Sequence, residues 1–459
     1  MECSAGREVS RELGKRKGRS VKALKHLAIL AAAVVLSSCL LKVKYTVGGT
    51  VTGLLGTGLL LEDNSGDALT FTGNGAFTFS SSVAKGDTYS VTVKTQPTNP
   101  TQVCTVHNGS GTIDNNDISN VRVNCTQAGR FAYVANQTAN DVSAFAIDAT
   151  SGVLTPLAGS PFASTGTAPV AVAVDPNGKY LYVVNNNSDA ISVFAIDYTT
   201  GTLTSGGIAI PTGRAPTAVA IHPTNQFLYV TNSTDDTVSA YSISNGAATA
   251  ISGSPYPVGA GPFAVKTDPA GNFLYVTNFA DGTVSAFAID PATGELTSIS
   301  GSPFGAGAGA VSLAVDPAGT FVYVANETAA TISAFSIRSA TGTLTPVSGS
   351  PFSTGSSPES LAVNPAGSVV YAANVTSKNE IANYAITPST GALNVGTAVG
   401  AGTFPLSVVV DPLGQFIYAA NDTSGDVSVY TVDATTGALT AVAGSPFFSG
   451  GGARSIAID

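Results

Sequence analysis

The chain has 459 residues with 50 Gly, 24 Pro, one Met and no Trp, and only 11% of its residues are charged. This length exceeds one ordinary globular core, so we expect either several domains or a repeat architecture. Val, Ile, Thr, Tyr and Phe alternate with the turn formers Gly, Asn, Asp and Pro, a pattern typical of an all-β protein.

The formal net charge of -9 combines two parts of opposite sign. Residues 1–38 carry eight Lys and Arg against three Glu, which leaves 12 basic and 26 acidic residues, a net charge of -14, in the remainder. Such an acidic body repels phosphate backbones, and no stripe of Lys and Arg with interleaved aromatic residues occurs. Nucleic acid and anionic lipid surfaces are therefore not expected as partners.

Residues 1–38 have the pattern of a signal peptide. A basic stretch is followed by an apolar run from Leu27 to Leu36, which is too short to span a bilayer as a stable helix. The run ends in Leu36-Ser37-Ser38-Cys39, which resembles the lipobox of bacterial lipoproteins. This resemblance implies cleavage before Cys39 and acylation of its thiol.

The lipobox resemblance also implies a location. Residues 39–43 would form a lipidated tether, and the lipid anchor would make the membrane a partner of the protein. Leu40 stands where Asp would favour retention in the inner membrane. We therefore expect an outer-membrane lipoprotein of the cell envelope, facing either the periplasm or the cell surface. The alternative is an uncleaved anchor or a buried core cysteine.

Two of the four cysteines remain after Cys3 and Cys39 are assigned to the signal peptide and the lipid. Cys104 and Cys125 are therefore predicted to form a disulfide, because an exported chain folds in an oxidising environment. A metal pair is the poorer alternative, since His107 is the only nearby ligand and zinc binds four. No metal or cofactor is expected.

Residues 44–127 alternate apolar and polar positions in short runs separated by Gly and Asn. Tyr89-Ser90-Val91-Thr92-Val93 is one such run. This pattern predicts a small β-sandwich that contains the Cys104–Cys125 disulfide. We interpret it as a stalk for the domain that follows.

From Arg130 a repeat of 46 to 49 residues begins. Its most regular part is an aromatic or apolar residue followed by x-Tyr-(Val/Ala)-x-Asn. The seven copies end at Asn136, Asn185, Asn232, Asn278, Asn326, Asn374 and Asn421.

Each repeat contains four short strand patterns, which predicts one blade of a β-propeller whose two faces are covered by neighbouring blades. A helical array would need a 3.6-residue period, and the coils of a β-helix are far shorter. The first repeat lacks its leading apolar strand, and residues 454–459 supply that strand. We expect this strand to close a seven-bladed ring over residues 130–459, so that deleting the last six residues would be unusually damaging.

Residues 130–459 resemble the YVTN repeat and the seven-bladed lactonase family, which includes 6-phosphogluconolactonase-like proteins and muconate-lactonising enzymes. The resemblance rests on Tyr182-Val183-Val184-Asn185, Tyr229-Val230-Thr231-Asn232 and Tyr275-Val276-Thr277-Asn278. It implies an all-β fold, a seven-bladed β-propeller preceded by the small β-sandwich-like domain. A fold of this kind hosts many functions, so activity has to be argued from the site.

Three charged residues break the repeat on one face of the predicted propeller, which we call the top face. It carries the loops that lead into each innermost strand and the hairpins that follow each Tyr-Val-x-Asn strand. Arg214, Glu359 and Arg454 stand at the start of innermost strands on this face, where other blades have mostly apolar residues. They could hold a carboxylate-bearing ligand or act on a lactone. The alternative is an incidental solvated ion pair.

The recurring Asp, Asn and Tyr of the repeat are interpreted as structural. Asp before Pro indicates a turn, and Asn at the end of the second strand indicates a hairpin cap. The Tyr of the second strand is predicted to pack between blades. Acidic residues on the top hairpins favour solubility or cationic partners. These residues are Asp141, Asp189, Asp235, Asp236, Asp281, Glu327, Glu380, Asp422 and Asp426.

The resemblance implies a histidine after the Pro that starts an innermost strand in members with lactone chemistry. Here Glu359 follows Pro358, and the three histidines His26, His107 and His222 lie elsewhere. Our leading prediction is therefore a non-catalytic module that binds a protein or glycan through its top face. The alternative is a lactone hydrolase, a carboxylic ester hydrolase in which Glu359 acts with Arg454 and Arg214.

Overall fold

The computed structural model describes residues 43–459, except residues 55, 65, 98–101, 128–129, 208 and 376–377. All of the regular secondary structure in this part of the chain is β-strand. No helix among these residues has the length and apolarity needed to cross a membrane. The predicted signal peptide and the predicted lipidation of Cys39 lie outside the described residues.

The first domain consists of two four-stranded sheets packed face to face. One sheet has the spatial order Gly75–Thr78, Val47–Thr52, Ile118–Gln127 and Gln102–His107. The other has the order Ala68–Phe71, Leu59–Asp63, Thr88–Thr95 and Ser110–Thr112, and a short pair joins Lys44–Tyr45 to Val83–Ala84. Both sheets contribute to a single core that includes Val51, Leu61, Phe79, Val91 and Val123.

The predicted disulfide between Cys104 and Cys125 is confirmed. It joins residues that lie directly opposite each other on Gln102–His107 and Ile118–Gln127. Both cysteines are buried in the sandwich core.

The remaining strands form seven antiparallel sheets, numbered as blades 1 to 7 in the order of their second strands. The innermost strands are Ala453–Ile458, Pro169–Val174, Pro216–Ile221, Pro262–Thr267, Ala310–Val315, Ser357–Val363 and Pro405–Val410. The second strands are Phe131–Asn136, Tyr180–Asn185, Phe227–Asn232, Phe273–Asn278, Phe321–Asn326, Val369–Val375 and Phe416–Asn421. The third strands are Asp141–Ile147, Ala190–Ile196, Thr237–Ser244, Thr283–Ile289, Thr331–Ile337, Glu380–Ile386 and Asp426–Val432.

Each innermost strand contacts the innermost strands of the two neighbouring blades, so the seven sheets form a closed ring. The predicted fold class, a seven-bladed propeller preceded by a sandwich-like domain, is confirmed. Both faces of the second strands are covered by neighbouring blades, and six of the seven have a fully buried six-residue run. This explains why their apolar residues do not alternate with polar ones.

The outer edge of the blades differs from the single fourth strand that the sequence predicted. In six blades two short strands pair with the same third strand. They are Leu154–Pro156 with Phe162–Ala163, Leu203–Ser205 with Ile210–Pro211, Ala247–Ala250 with Tyr256–Pro257, Leu296–Ser298 with Phe304–Gly305, Leu344–Pro346 with Phe352–Ser353, and Leu439–Ala441 with Phe447–Phe448.

A Gly-Ser-Pro turn interrupts the outer edge in five of these blades, because its Gly adopts positive φ and its Pro cannot donate to the ladder. Blade 6 has no Pro there, and its outer strand Leu393–Gly400 is continuous.

Neighbouring blades are joined by a repeated hydrogen bond. In six blades the hydroxyl of the second-strand Tyr donates to a Gly carbonyl in the outer turn of the next blade, over 2.9 to 3.3 Å. The pairs are Tyr133 with Gly201, Tyr229 with Gly294, Tyr275 with Gly342, Tyr323 with Gly391, Tyr371 with Gly437, and Tyr418 with Gly152. These tyrosines therefore link the blades by a polar contact as well as by packing.

The ring closes in blade 1, whose innermost strand Ala453–Ile458 pairs with Phe131–Asn136. The Asp459 carboxylate accepts hydrogen bonds from the backbone N–H groups of Arg130 at 2.7 Å and Phe131 at 2.8 Å. Tyr418 of blade 7 adds its bond to Gly152 of blade 1. Residues more than 300 positions apart are thus held together by backbone and side-chain contacts.

Candidate active site

The innermost strands surround a central channel, and two cavities among the described residues lie along it. The upper cavity, of about 340 Å³, is lined by innermost strands of all seven blades and by Gln137 and Asn186 from top hairpins. The lower cavity, of about 380 Å³, is lined by strand ends and by bottom turns such as Asp268-Pro269 and Asp411-Pro412. The upper cavity therefore belongs to the top face.

Glu359 and Arg454 both line the upper cavity. Each is the residue after Pro358 or Ala453 at the top of an innermost strand, in blades 6 and 1, which are separated by blade 7. The other blades place Val170, Thr217, Phe263, Val311 and Leu406 at this position. The two charged side chains thus face one cavity whose remaining top layer is mostly apolar.

A chain of serine hydrogen bonds holds these blades in register. Ser360, next to Glu359, accepts a hydrogen bond from the backbone N–H of Val408 at 3.1 Å, and Ser407 accepts one from Ile456 at 3.3 Å. Equivalent bonds join Ser312 to Leu361 and Ser455 to Val172. The bonds run through blades 5, 6, 7, 1 and 2, and therefore fix the spacing between the strands that carry Glu359 and Arg454.

The environment of Glu359 strongly favours its protonated form. Burial, the negative charge of Glu327 and a side-chain hydrogen bond with Glu327 raise the pKa of Glu359 to about 7, while the Arg454 guanidinium acts in the opposite direction. Glu327 follows the second strand of blade 5, beside blade 6. The Glu359 carboxyl group is therefore about half protonated near neutral pH. No described ion pair joins Glu359 directly to Arg454.

Blade 4 gives the upper cavity an aromatic side. Phe263 lines the cavity, and its ring packs against Phe279 with centroids 6.1 Å apart. An apolar ring face beside a carboxyl group and a guanidinium suits a small cyclic ligand with one polar edge.

Arg214 lies apart from the other two predicted site residues. Its side chain is 67% exposed and its Nε lies 2.6 Å from Asp235 Oδ1. Arg214 is not among the residues that line either cavity. The structure therefore brings together Glu359 and Arg454, and it places Arg214 in a surface ion pair.

The other polar residues of the repeat have structural contacts. All seven second-strand Asn are fully buried, and in six blades their amide donates to a Ser on the third strand. Asp175, Asp316 and Asp411 accept backbone hydrogen bonds in the bottom turns. His222 is buried at a bottom turn, where its Nε2 lies 2.8 Å from the Gly271 carbonyl. The described part of the chain has no group of three or more His, Cys, Asp or Glu suited to a metal.

One channel residue was missed by the sequence analysis. Lys266, in the innermost strand of blade 4, lines both cavities. The sequence prediction concerns charges at the start of innermost strands, whereas Lys266 is the fifth residue of its strand. A search for charged residues at strand positions where the other repeats have Ala or Val would have identified Lys266.

The family described as Lactonase, 7-bladed beta-propeller matches the chain over residues 80–217, 209–312 and 300–452. The match begins within the sandwich and includes most of the propeller. A comparison with curated proteins found no match.

Several solved structures are similar to the chain. A candidate 6-phosphogluconolactonase from Bacteroides uniformis is 21% identical, with a TM-score of 0.65, over 72% of this chain and 100% of its own. A second candidate 6-phosphogluconolactonase, from Bacteroides fragilis, is 19% identical, with a TM-score of 0.63, over 72% of this chain and 97% of its own. The periplasmic gluconolactonase of Pseudomonas aeruginosa is 17% identical, with a TM-score of 0.62, over 72% and 98%. At these identities the similarity shows the fold alone.

Proposed function

The chain belongs to the seven-bladed β-propeller lactonase family, and on that premise we propose that it hydrolyses a lactone in the upper cavity of the channel. The observation that carries the proposal is that Glu359 and Arg454 line the same cavity, with the pKa of Glu359 raised to about 7. A general base works best when its pKa lies near the working pH. Glu359 follows Pro358, the position at which the family resemblance implies a histidine.

In the proposed reaction Glu359 acts as the general base. Its carboxylate takes a proton from water while the water oxygen bonds to the lactone carbonyl carbon. Arg454 stabilises the negative charge that develops on the former carbonyl oxygen. The ring C–O bond then breaks, and Glu359 returns the proton to the leaving ring oxygen. The product is the open hydroxy acid, and Glu359 is again ionised.

Glu327 and the serine bonds have positioning roles in this proposal. Glu327 keeps the pKa of Glu359 high, so that the carboxyl group can return a proton as well as take one. Ser360 and Ser407 hold blades 6, 7 and 1 together, which keeps Glu359 and Arg454 at a constant spacing. Phe263 would pack against the face of the lactone ring.

The site favours hydrolysis over a purely binding role. A surface that only binds a protein or glycan has no need for a buried carboxyl group with a raised pKa facing a guanidinium. The binding role rests on the acidic top hairpins and the predicted tether, and solubility also explains the hairpins. It remains the second candidate.

We also propose that the protein is exported, loses residues 1–38 and is attached to the outer membrane through lipid on Cys39. The signal-peptide pattern and the lipobox resemblance support this location. Metabolic labelling with a radioactive fatty acid would test it, with Cys39→Ala as the control variant. Labelling that persists in Cys39→Ala would contradict it.

Hydrolysis is tested with a panel of sugar and acyl lactones. We expect turnover by the purified protein, and a loss of kcat/KM of about a hundredfold or more in both Glu359→Gln and Arg454→Ala. Arg338→Ala, an exposed Arg on an outer turn of blade 5, is the matched control and should retain turnover. If the wild-type protein hydrolyses nothing on the panel, the proposal is rejected and binding at the top face becomes the leading function.

A further inference from the structure

Lys266 is an exception in a layer of small side chains. It is the fifth residue of Pro262–Thr267, the innermost strand of blade 4. The equivalent residues of the other six blades are Ala173, Ala220, Ala314, Ala362, Val409 and Ala457. The long side chain therefore enters space that six other blades leave open.

This residue lies at the junction of the two cavities, since it lines both of them. Strands rise about 3.3 Å per residue, so its Cα lies roughly 10 Å further down the channel than that of Phe263. Glu359 occupies in blade 6 the position that Phe263 occupies in blade 4. The amine therefore marks the deep end of the cavity whose mouth carries Glu359 and Arg454.

The ammonium group has no partner among the described residues. No hydrogen bond or ion pair of that part of the chain engages the Lys266 side chain. The two carboxyl groups that line the lower cavity, those of Asp268 and Asp411, cap bottom turns. Asp268 accepts the backbone N–H of Phe273 at 2.7 Å, and Asp411 accepts that of Phe416 at 2.6 Å. Lys266 is exposed to the channel yet lies deep in the protein, and this burial lowers its pKa.

We propose that Lys266 binds an anionic group, a carboxylate or a phosphate, of a ligand that enters the channel from the top. Lys266 faces the channel without a counter-ion among the described residues, and an oxyanion at this point would supply that partner. The ligand would therefore be an acidic one, with its anionic end below the lactone ring. The inference rests on the proposed function only for the position of that ring.

The route to Lys266 is compatible with an anion. The nine acidic residues of the top hairpins do not line the upper cavity. Glu359, the one carboxyl group that does, is half protonated near neutral pH. Arg454 adds a positive charge at the mouth. Salt also screens the hairpin charges beyond about 8 Å at physiological ionic strength.

Calorimetric titration of the purified protein with inorganic phosphate and, separately, with succinate tests the proposal. We expect one of the two anions to bind, and its affinity to fall at least about tenfold in Lys266→Met, which keeps the length of the side chain and removes the charge. Lys266→Arg should retain binding. The matched control is Lys179→Met, an exposed Lys on a bottom turn of blade 2, which should bind as the wild type does.

Equal affinity in the wild type and Lys266→Met, or no binding of either anion, would overturn the proposal. Should Lys266→Met fail to fold, the wild-type protein with ¹³C-methylated lysines provides the measurement, because the Lys266 signal must shift when the anion is added. Lactone turnover without anion binding would reject only this inference. Anion binding without lactone turnover would reject only the proposed hydrolysis.

Discussion

Glu359 and Glu327, which project from neighbouring blades, share a hydrogen bond between their carboxyl groups. One carboxyl group must hold a proton for this bond to form. The pair therefore links the protonation state of the site to the stability of the propeller.

Replacing Glu359 by Gln should stabilise the protein at alkaline pH. The folded-state pKa of Glu359 is about 7, above its ordinary value of 4.5, so the folded state binds more protons between these values. The stability that this proton provides is present below pH 4.5 and is lost as the pH rises through 7. At 1.36 kcal/mol per pKa unit the loss is at most about 3 kcal/mol. Thermal unfolding should show Glu359→Gln to be more stable than the wild type at pH 8, with a smaller difference at pH 4. Equal differences at both pH values would disprove the coupling between protonation of Glu359 and stability.

The proposed hydrolysis should depend on the same proton. Because the general base must be ionised, kcat/KM for a lactone should rise with pH and reach half its maximum near pH 7. Glu327→Gln removes the like charge beside Glu359, so the midpoint should move to lower pH. A midpoint that stays unchanged in Glu327→Gln would show that Glu327 does not tune the base.

The tyrosine bonds between blades should contribute measurably to stability. Tyr275→Phe leaves the buried carbonyl of Gly342 without its 2.9 Å hydrogen bond, at a cost of about 1 to 2 kcal/mol. Tyr182 is equally buried, but its hydroxyl makes no such bond to the next blade among the described residues, so Tyr182→Phe is the matched control. Denaturant unfolding should separate the two variants; equal losses would mean that packing alone joins the blades.

Removing the disulfide should affect the sandwich and spare the propeller. The Cys104–Cys125 bond has a sequence separation of 21, and closing such a loop stabilises by roughly 3 kcal/mol. The sandwich core contains only residues of the first domain. Calorimetry of the double variant Cys104→Ala and Cys125→Ala should therefore show a lower transition for the sandwich, with the propeller transition in place. A lowered propeller transition would indicate that the two domains unfold together.

The fold could be predicted from the sequence because each blade repeats the same pattern. A Tyr-Val-x-Asn strand has no stable state alone and needs a copy on either side, so seven copies lead to a ring. The split outer edge was not predicted, because its two pieces have only two to four residues each and their Gly-Ser-Pro turns were not considered.

Two of the three predicted site residues, Glu359 and Arg454, lie together in the upper cavity. Glu359 and Arg454 stand at equivalent repeat positions on the top face, and a ring brings equivalent positions to the same height. Arg214 precedes its strand by two residues, in the loop, where Asp235 lies within reach. The link between Glu359 and Glu327 joins different strands of different blades, so neither the repeat nor residue spacing reveals it.

Blade 1 cannot be completed while the chain is still being made. Its second strand ends at residue 136, and its innermost strand begins at residue 453. At about 5 to 20 residues per second, a ribosome needs roughly 15 to 65 s to synthesise the residues between them. During that time one edge of Phe131–Asn136, an apolar strand, has no partner. The propeller can therefore close only after almost the whole chain has been made and the two distant strands meet.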